Sequence, residues 1–196
     1  MPTGVALRDA REQLFEAAER ILLRTGPHGL TSRAVTTEAG CAKGVLHRHF
    51  ADFDDFLAAL VQDRIARLDA QAAALRAAAG TATVTGNLAA ALTELFGPVA
   101  VAVVGLVTFR DDLRARLRQS TPHGLPLLSE ATAMLAGYLA AERDQGRIAE
   151  GADPGTLAPT LVGAGHLLYA DRTGPPPTTE TVHAMVASVL TGATTE

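Results

Sequence analysis

Apolar residues recur along this chain at the three- and four-residue intervals of helices, and no run keeps the two-residue alternation of a strand. Leu14, Ala17, Ala18, Ile21 and Leu22 share one face of a helix predicted from about Asp9 to Thr25, and Gly26-Pro27 stops it. A long apolar row, Leu57, Leu60, Val61, Ile65, Leu68, Ala72 and Leu75, predicts a helix that Asp52 caps and that continues to about Ala79. At about 1.5 Å per residue it is a rod of about 40 Å. Leu88, Leu92 and Leu95 mark the next helix, closed at Gly97. Pro98 opens a very apolar one that is expected to run through Phe109 into the basic Arg114-Arg116-Arg118 segment. After a loop from Thr121 to Pro126 come Leu128, Ala131, Leu135, Tyr138 and Leu139, ending at Gly146. Pro154 to about Tyr169 and Thr179 to Leu190 complete the pattern, with Gly-Pro-Pro-Pro between them. With two short helices inside residues 30–50, this predicts an all-α chain of about nine helices.

Those two short helices are packed with local signals. Thr31 is placed to cap the first, on which Val35 and Ala39 fall four apart, and Gly40 supplies the positive φ of a sharp exit. The second carries Leu46 and Phe50 on its inner side and Lys43, Gly44, His47 and Arg48 on its outer side. A short helix with cations and a bare glycine near its start fits a DNA major groove closely. The segment reads as a helix-turn-helix.

The stretch from Gly26 through Leu30-Thr31-Ser32, Val35, Ala39-Gly40, Lys43-Gly44 and Leu46 to His49-Phe50 resembles the N-terminal domain of the tetracycline-repressor (TetR) family of bacterial regulators. The detailed resemblance covers about residues 10–60. Three positions depart from the family pattern: Ala42 replaces a capping Ser, His47 a phosphate-contacting Tyr, and Phe53 a Lys at the start of the fourth helix. The resemblance implies a helix-turn-helix DNA-binding domain over residues 1–51 and a helical ligand-binding and dimerisation domain over 52–196. It implies base contacts from Lys43, Gly44, Val45 and Arg48, and phosphate contacts from Thr31, Arg33 and His47, with Ser32 and His49 completing the DNA-facing set. The expected partners are a palindromic double-stranded operator, a small-molecule effector and a second copy of the chain.

Composition adjusts this picture in places. Net charge is −4, which taken alone opposes nucleic-acid binding, but residues 1–50 carry seven Arg or Lys against five Asp or Glu, and residues 51–196 ten against sixteen. The head is therefore mildly basic and the remainder acidic, and the chain's one lysine is Lys43. A single cysteine excludes an intrachain disulfide and, with no signal-peptide pattern and no apolar run of membrane length, predicts a cytoplasmic protein without a membrane partner. Abundant Arg, Ala and Gly suit a GC-rich bacterial genome.

The last two helices carry the stripes Leu157, Leu161, Ala164, Leu168 and Val182, Met185, Val186, Val189, which by pattern alone could pack onto the chain's own core and which the resemblance implies pair across a two-fold axis. The effector is expected among Phe96, Val103, Leu106, Phe109, Met134, Tyr138 and His166, where few aromatics and no Trp favour an apolar or weakly polar molecule. No cofactor and no metal is expected: His47 and His49 point to different helix faces and Cys41 lacks further ligands nearby. Asp111-Asp112 and Glu142 to Asp144 read as solvated helix faces. The chain is expected to be a ligand-responsive repressor and not an enzyme; the alternatives are a helical adaptor or an enzyme that does not act on DNA.

Overall fold

The structure is a computed structural model that describes residues 6–170 and 174–195, with side chains from residue 10 onward. Among the described residues there are ten α-helices and no strand: α1 (Ala6–Thr25), α2 (Ser32–Glu38), α3 (Gly44–His49), α4 (Phe53–Ala77), α5 (Val84–Leu95), α6 (Pro98–Phe109), α7 (Asp111–Leu117), α8 (Leu128–Asp144), α9 (Pro154–Ala170) and α10 (Thr179–Val189). A single 3-10 turn, Pro27–Gly29, joins α1 to α2. The one helix more than expected arises at Arg110. Its backbone is extended (φ −122°, ψ 96°), so the helix begun at Pro98 ends at Phe109 and a new one starts at Asp111. Arg114 reaches back to the carbonyls of Val107 and Thr108 and pairs with Asp111, so the last turn of α6 finds donors that its own backbone lacks.

Contacts divide the chain into two compact units, one comprising residues up to Asp63 together with Ala102–Leu125, the other Arg64–Val101 with Pro126–Glu196. In the first, α1, α2 and α3 pack on one another around Leu14, Phe15, Ile21, Leu22, Leu30, Val35 and Leu46. Phe15, Phe50 and Phe56 meet at centroid distances of 5.1–6.0 Å, Phe53 stacks on Phe56 at 5.6 Å, and Arg11 lies over the Phe15 and Phe50 rings. Phe53 thus extends an aromatic cluster beneath α3. Arg20 and Arg24 of α1 clamp Glu38 of α2 at 2.9 and 2.7 Å, which holds the Glu38 carboxyl below its usual range through the Arg24 bond first and the Arg20 bond second.

In the second unit α8 packs on α9, and α10 on α5 and α9. Leu161 of α9 and Val182 and Val186 of α10 are fully buried within the single chain. The interface role expected of these three is therefore corrected: their stripes pack inward, onto neighbouring helices of the same unit. Gly165 is tucked against Phe96, where a Cβ would stand 2.8 Å from a ring carbon, while Gly163 faces open space. The side of α9 left exposed carries Thr156, Thr160, Gly163 and Leu167, the last 75% exposed. No single helix among the described residues is long and apolar enough to cross a membrane.

Candidate nucleic-acid interface and effector site

The turn between α2 and α3 is built by the residues expected to build it. The Thr31 hydroxyl accepts from the Ala34 backbone N–H at 3.1 Å, and Gly40 takes φ +64°. A Cβ there would meet no atom within 4 Å, so conformation and not crowding selects glycine. The Cys41 N–H then bonds the Thr36 carbonyl and closes the turn. Lys43 precedes α3 without a side-chain cap, which is the local consequence of Ala42.

Leu46 and Phe50 bury the inner side of α3, and everything charged on the helix is left outside. Lys43, Gly44, His47 and Arg48 are exposed, Val45 and His49 half-buried; on α2, Thr31 and Arg33 are exposed and Ser32 is half-buried. Within the described residues the side chains of Lys43, Arg33 and Arg48 have no ion-pair partner, so their charge is available to an outside anion. Nothing crowds Gly44, and a backbone could approach it closely.

Directly after α3 the chain turns into α4 through an acidic corner, whose Asp52 cap the sequence predicts but whose arginine partners it does not show. The Asp55 N–H donates to Asp52 Oδ1 at 2.6 Å, and Asp55 Oδ2 accepts from the Ala51 N–H at 3.0 Å, a reciprocal cap for the first turn of α4. Two arginines from the α6–α7 corner close on it. Arg116 bonds both Asp52 oxygens, at 3.0 and 3.1 Å, and lies 3.9 Å from Asp55; Arg110 bonds Asp54 at 2.9 Å. The Arg116 bond holds the Asp52 carboxyl below its ordinary range, and Asp52 in turn raises the Arg116 guanidinium. The signal in the sequence was the basic Arg110–Arg118 run, but its partners lie some sixty residues away.

The expected effector residues fall in both units. Val103, Leu106 and Phe109 belong to the first unit; Phe96, Met134, Tyr138 and His166 belong to the second. Val103 and Leu106 are fully buried, whereas Phe109 is 81% exposed. The cavity wall expected of Phe109 is thus corrected: it is the last residue of α6, beyond the buried run that ends at Val107, and the extended Arg110 follows it. In the second unit Met134 and Tyr138 border a cleft of about 250 Å³ with Leu68, Ala72 and Arg76 of α4. On the other side of α4, Met134 also borders a cleft of about 190 Å³ with Leu75, Asn87 and Glu94. His166 and Tyr169 flank Phe96 at 5.9 Å between centroids.

Behind the clefts lies a buried polar network. Glu142, expected on a solvated face, has no exposed surface. It accepts a short hydrogen bond from the Tyr138 hydroxyl, a 3.2 Å bond from the Gly80 N–H, and stands 3.3 Å from Arg147. Asn87 donates to the Tyr138 oxygen at 3.0 Å and to the carbonyls of Ala78 and Thr81. Burial first, and the Glu142 bond second, push the Tyr138 hydroxyl far above its ordinary ionisation range. The four-residue interval between Tyr138 and Glu142 is the only sequence mark of this network.

Among the described residues no three His, Cys, Asp or Glu side chains gather as a metal site.

Residues 14–60 match a family model described as bacterial regulatory proteins, tetR family. A curated relative, the HTH-type transcriptional regulator PksA of Bacillus subtilis (strain 168), is 34% identical over 68 residues, a match that spans about a third of each chain. Two solved structures cover nearly the whole chain. A TetR-family transcriptional regulator from Agrobacterium tumefaciens aligns over 95% of this chain and 98% of its own with a TM-score of 0.72 at 15% identity. FadR from Bacillus subtilis in complex with stearoyl-CoA aligns over 92% and 95% with a TM-score of 0.66 at 19% identity. At those identities the likeness is one of fold.

Proposed function

We propose, from the match of residues 14–60 to the TetR-family model and from an all-helical fold like that of solved TetR-family regulators, that the chain is a ligand-responsive, DNA-binding transcriptional regulator of that family. It acts as a homodimeric repressor in the cytoplasm, and its two α3 helices enter successive major grooves of a palindromic operator. The observation that carries this reading is the outer side of α3, where Lys43, Gly44 and Arg48 are exposed and the cations unpaired above a fully buried Leu46. Lys43, Gly44, Val45 and Arg48 read base edges; Thr31, Ser32, Arg33, His47 and His49 meet the backbone. A small apolar or weakly polar molecule releases the operator. Met134 and Tyr138, which already border clefts beside α4, are its foremost contacts; Phe96, Val103, Leu106 and His166 remain further candidates. Such a molecule shifts the equilibrium only by the difference in its affinity for the two states. The outward side of α9 around the exposed Leu167 supplies the dimer contact, and the half-buried Leu157, Leu168, Met185 and Val189 are further candidates for it.

The test is recovery of the genomic fragments that the protein retains, followed by titration of one of them. Arg48→Ala is expected to weaken binding by about 1–3 kcal/mol and relax base preference, and Arg33→Ala to weaken all sequences alike with a shallower salt slope. Undiminished retention by a Lys43→Ala, Arg48→Ala double variant refutes the assignment of α3 as the reading helix.

A further inference from the structure

The acidic corner is a problem for a DNA-binding head. Three carboxylates, Asp52, Asp54 and Asp55, stand within six residues of the end of α3. A phosphate backbone lying along α3 would pass close to them, and none of the three can be given up freely. Asp52 and Asp55 cap α4, and all three favour the positive end of that helix. Nor does α4 begin with a cation of its own, because position 53 is a phenylalanine committed to the aromatic cluster. The cations come from elsewhere in the chain, Arg110 and Arg116, one at the start of α7 and one within it.

We propose that Arg110 and Arg116 are positioning residues for DNA binding, which neutralise the carboxylates at the start of α4 so that the head can approach phosphate. The proposal rests on the DNA-binding reading of α3 and extends it to a part of the chain outside the helix-turn-helix. The geometry suits this role better than that of a stability device. The pairs are partly solvent-exposed, and exposed pairs contribute little to folding. Arg116 takes both oxygens of Asp52 in a fork, which sets a full positive charge directly against the carboxylate nearest α3. Arg114 holds the corner between α6 and α7 through the Val107 and Thr108 carbonyls, so that its neighbours are presented from a fixed turn.

Uncovering one carboxylate within about a Debye length of a phosphate weakens binding roughly twofold in dilute salt. Two on each of two heads compound to at most about sixteenfold, on the order of tenfold. The probe is a duplex that the wild-type protein selects from a random-sequence library, titrated by fluorescence polarisation. An Arg110→Gln, Arg116→Gln variant is expected to bind about tenfold more weakly at about 50 mM salt and within about twofold of wild type at about 300 mM. Adding Asp52→Asn and Asp54→Asn, which keeps a capping side chain at 52, is expected to restore affinity at low salt. A merely structural role predicts the reverse: a loss that persists at high salt, is not rescued by the asparagines and follows the melting temperature. Such a result overturns the proposal, as does unchanged affinity in the glutamine variant. Should that variant melt early, Arg116→Gln with and without Asp52→Asn gives the same comparison. A wild-type protein that selects no duplex refutes the DNA-binding reading itself, and this role with it.

Discussion

Replacing Tyr138 by phenylalanine removes one oxygen from the buried network and leaves the ring in place. Glu142, without exposed surface, loses the short bond from the hydroxyl and keeps the Gly80 N–H at 3.2 Å and Arg147 at 3.3 Å. Asn87 loses one acceptor and keeps the carbonyls of Ala78 and Thr81. A hydrogen bond to a buried carboxylate is worth about 1.5–3 kcal/mol. For a chain of this length each kcal/mol is about 2–4 °C in melting temperature, so the variant is expected to melt about 3–12 °C lower at neutral pH. A second signature lies in alkali. The hydroxyl ionises near 10 in the unfolded chain and well above that in the fold, so its contribution is whole below pH 10 and is lost as pH rises beyond. Above pH 10 wild type should therefore lose stability more steeply than Tyr138→Phe, by up to about 1.4 kcal/mol per pH unit. Urea unfolding of both proteins at about pH 7 and at steps above 10 reads both effects. Equal stability at neutral pH together with parallel alkaline slopes would refute the energetic account of this network.

Leu161→Ala, in the core of the second unit, should cost about 3–5 kcal/mol, whereas Leu167→Asp, on an exposed position of the same helix, should leave the fold intact and split the dimer in light scattering. Gly105→Ala fills open space in the middle of α6 and should raise stability by about 0.4–1 kcal/mol, while Gly165→Ala pushes a methyl against the Phe96 ring and should lower it by about 1–3 kcal/mol, both read by thermal melts.

The head was legible because its signals are local. A threonine cap, a glycine at positive φ and apolar pairs four apart each act within a turn or two of chain, and Thr31, Gly40, Leu46 and Phe50 all take the places their types dictate. The break at Arg110 was not legible: no proline or glycine marks it, and the residue pairs with Asp54, fifty-six positions earlier. Glu142 escaped for a related reason. A charged residue near a helix end is usually solvated; Tyr138 lies one turn away on the same helix, but only tertiary packing brings the Gly80 N–H to Glu142 and takes it out of water.

The stripes of α9 and α10 carry the sharper lesson. Periodicity tells which side chains leave water but not which chain receives them. Leu161, Val182 and Val186 kept perfect helical spacing, and the spacing is satisfied entirely by α5, α8 and the mutual packing of α9 and α10. Leu167, which falls off that stripe among small and polar neighbours, drew no attention, yet it is the large apolar side chain of α9 that the single chain leaves uncovered. A residue that breaks the amphipathic pattern on the polar side is a better pointer to a partner than one that keeps it, because burial within the chain gives no reason for it to be there.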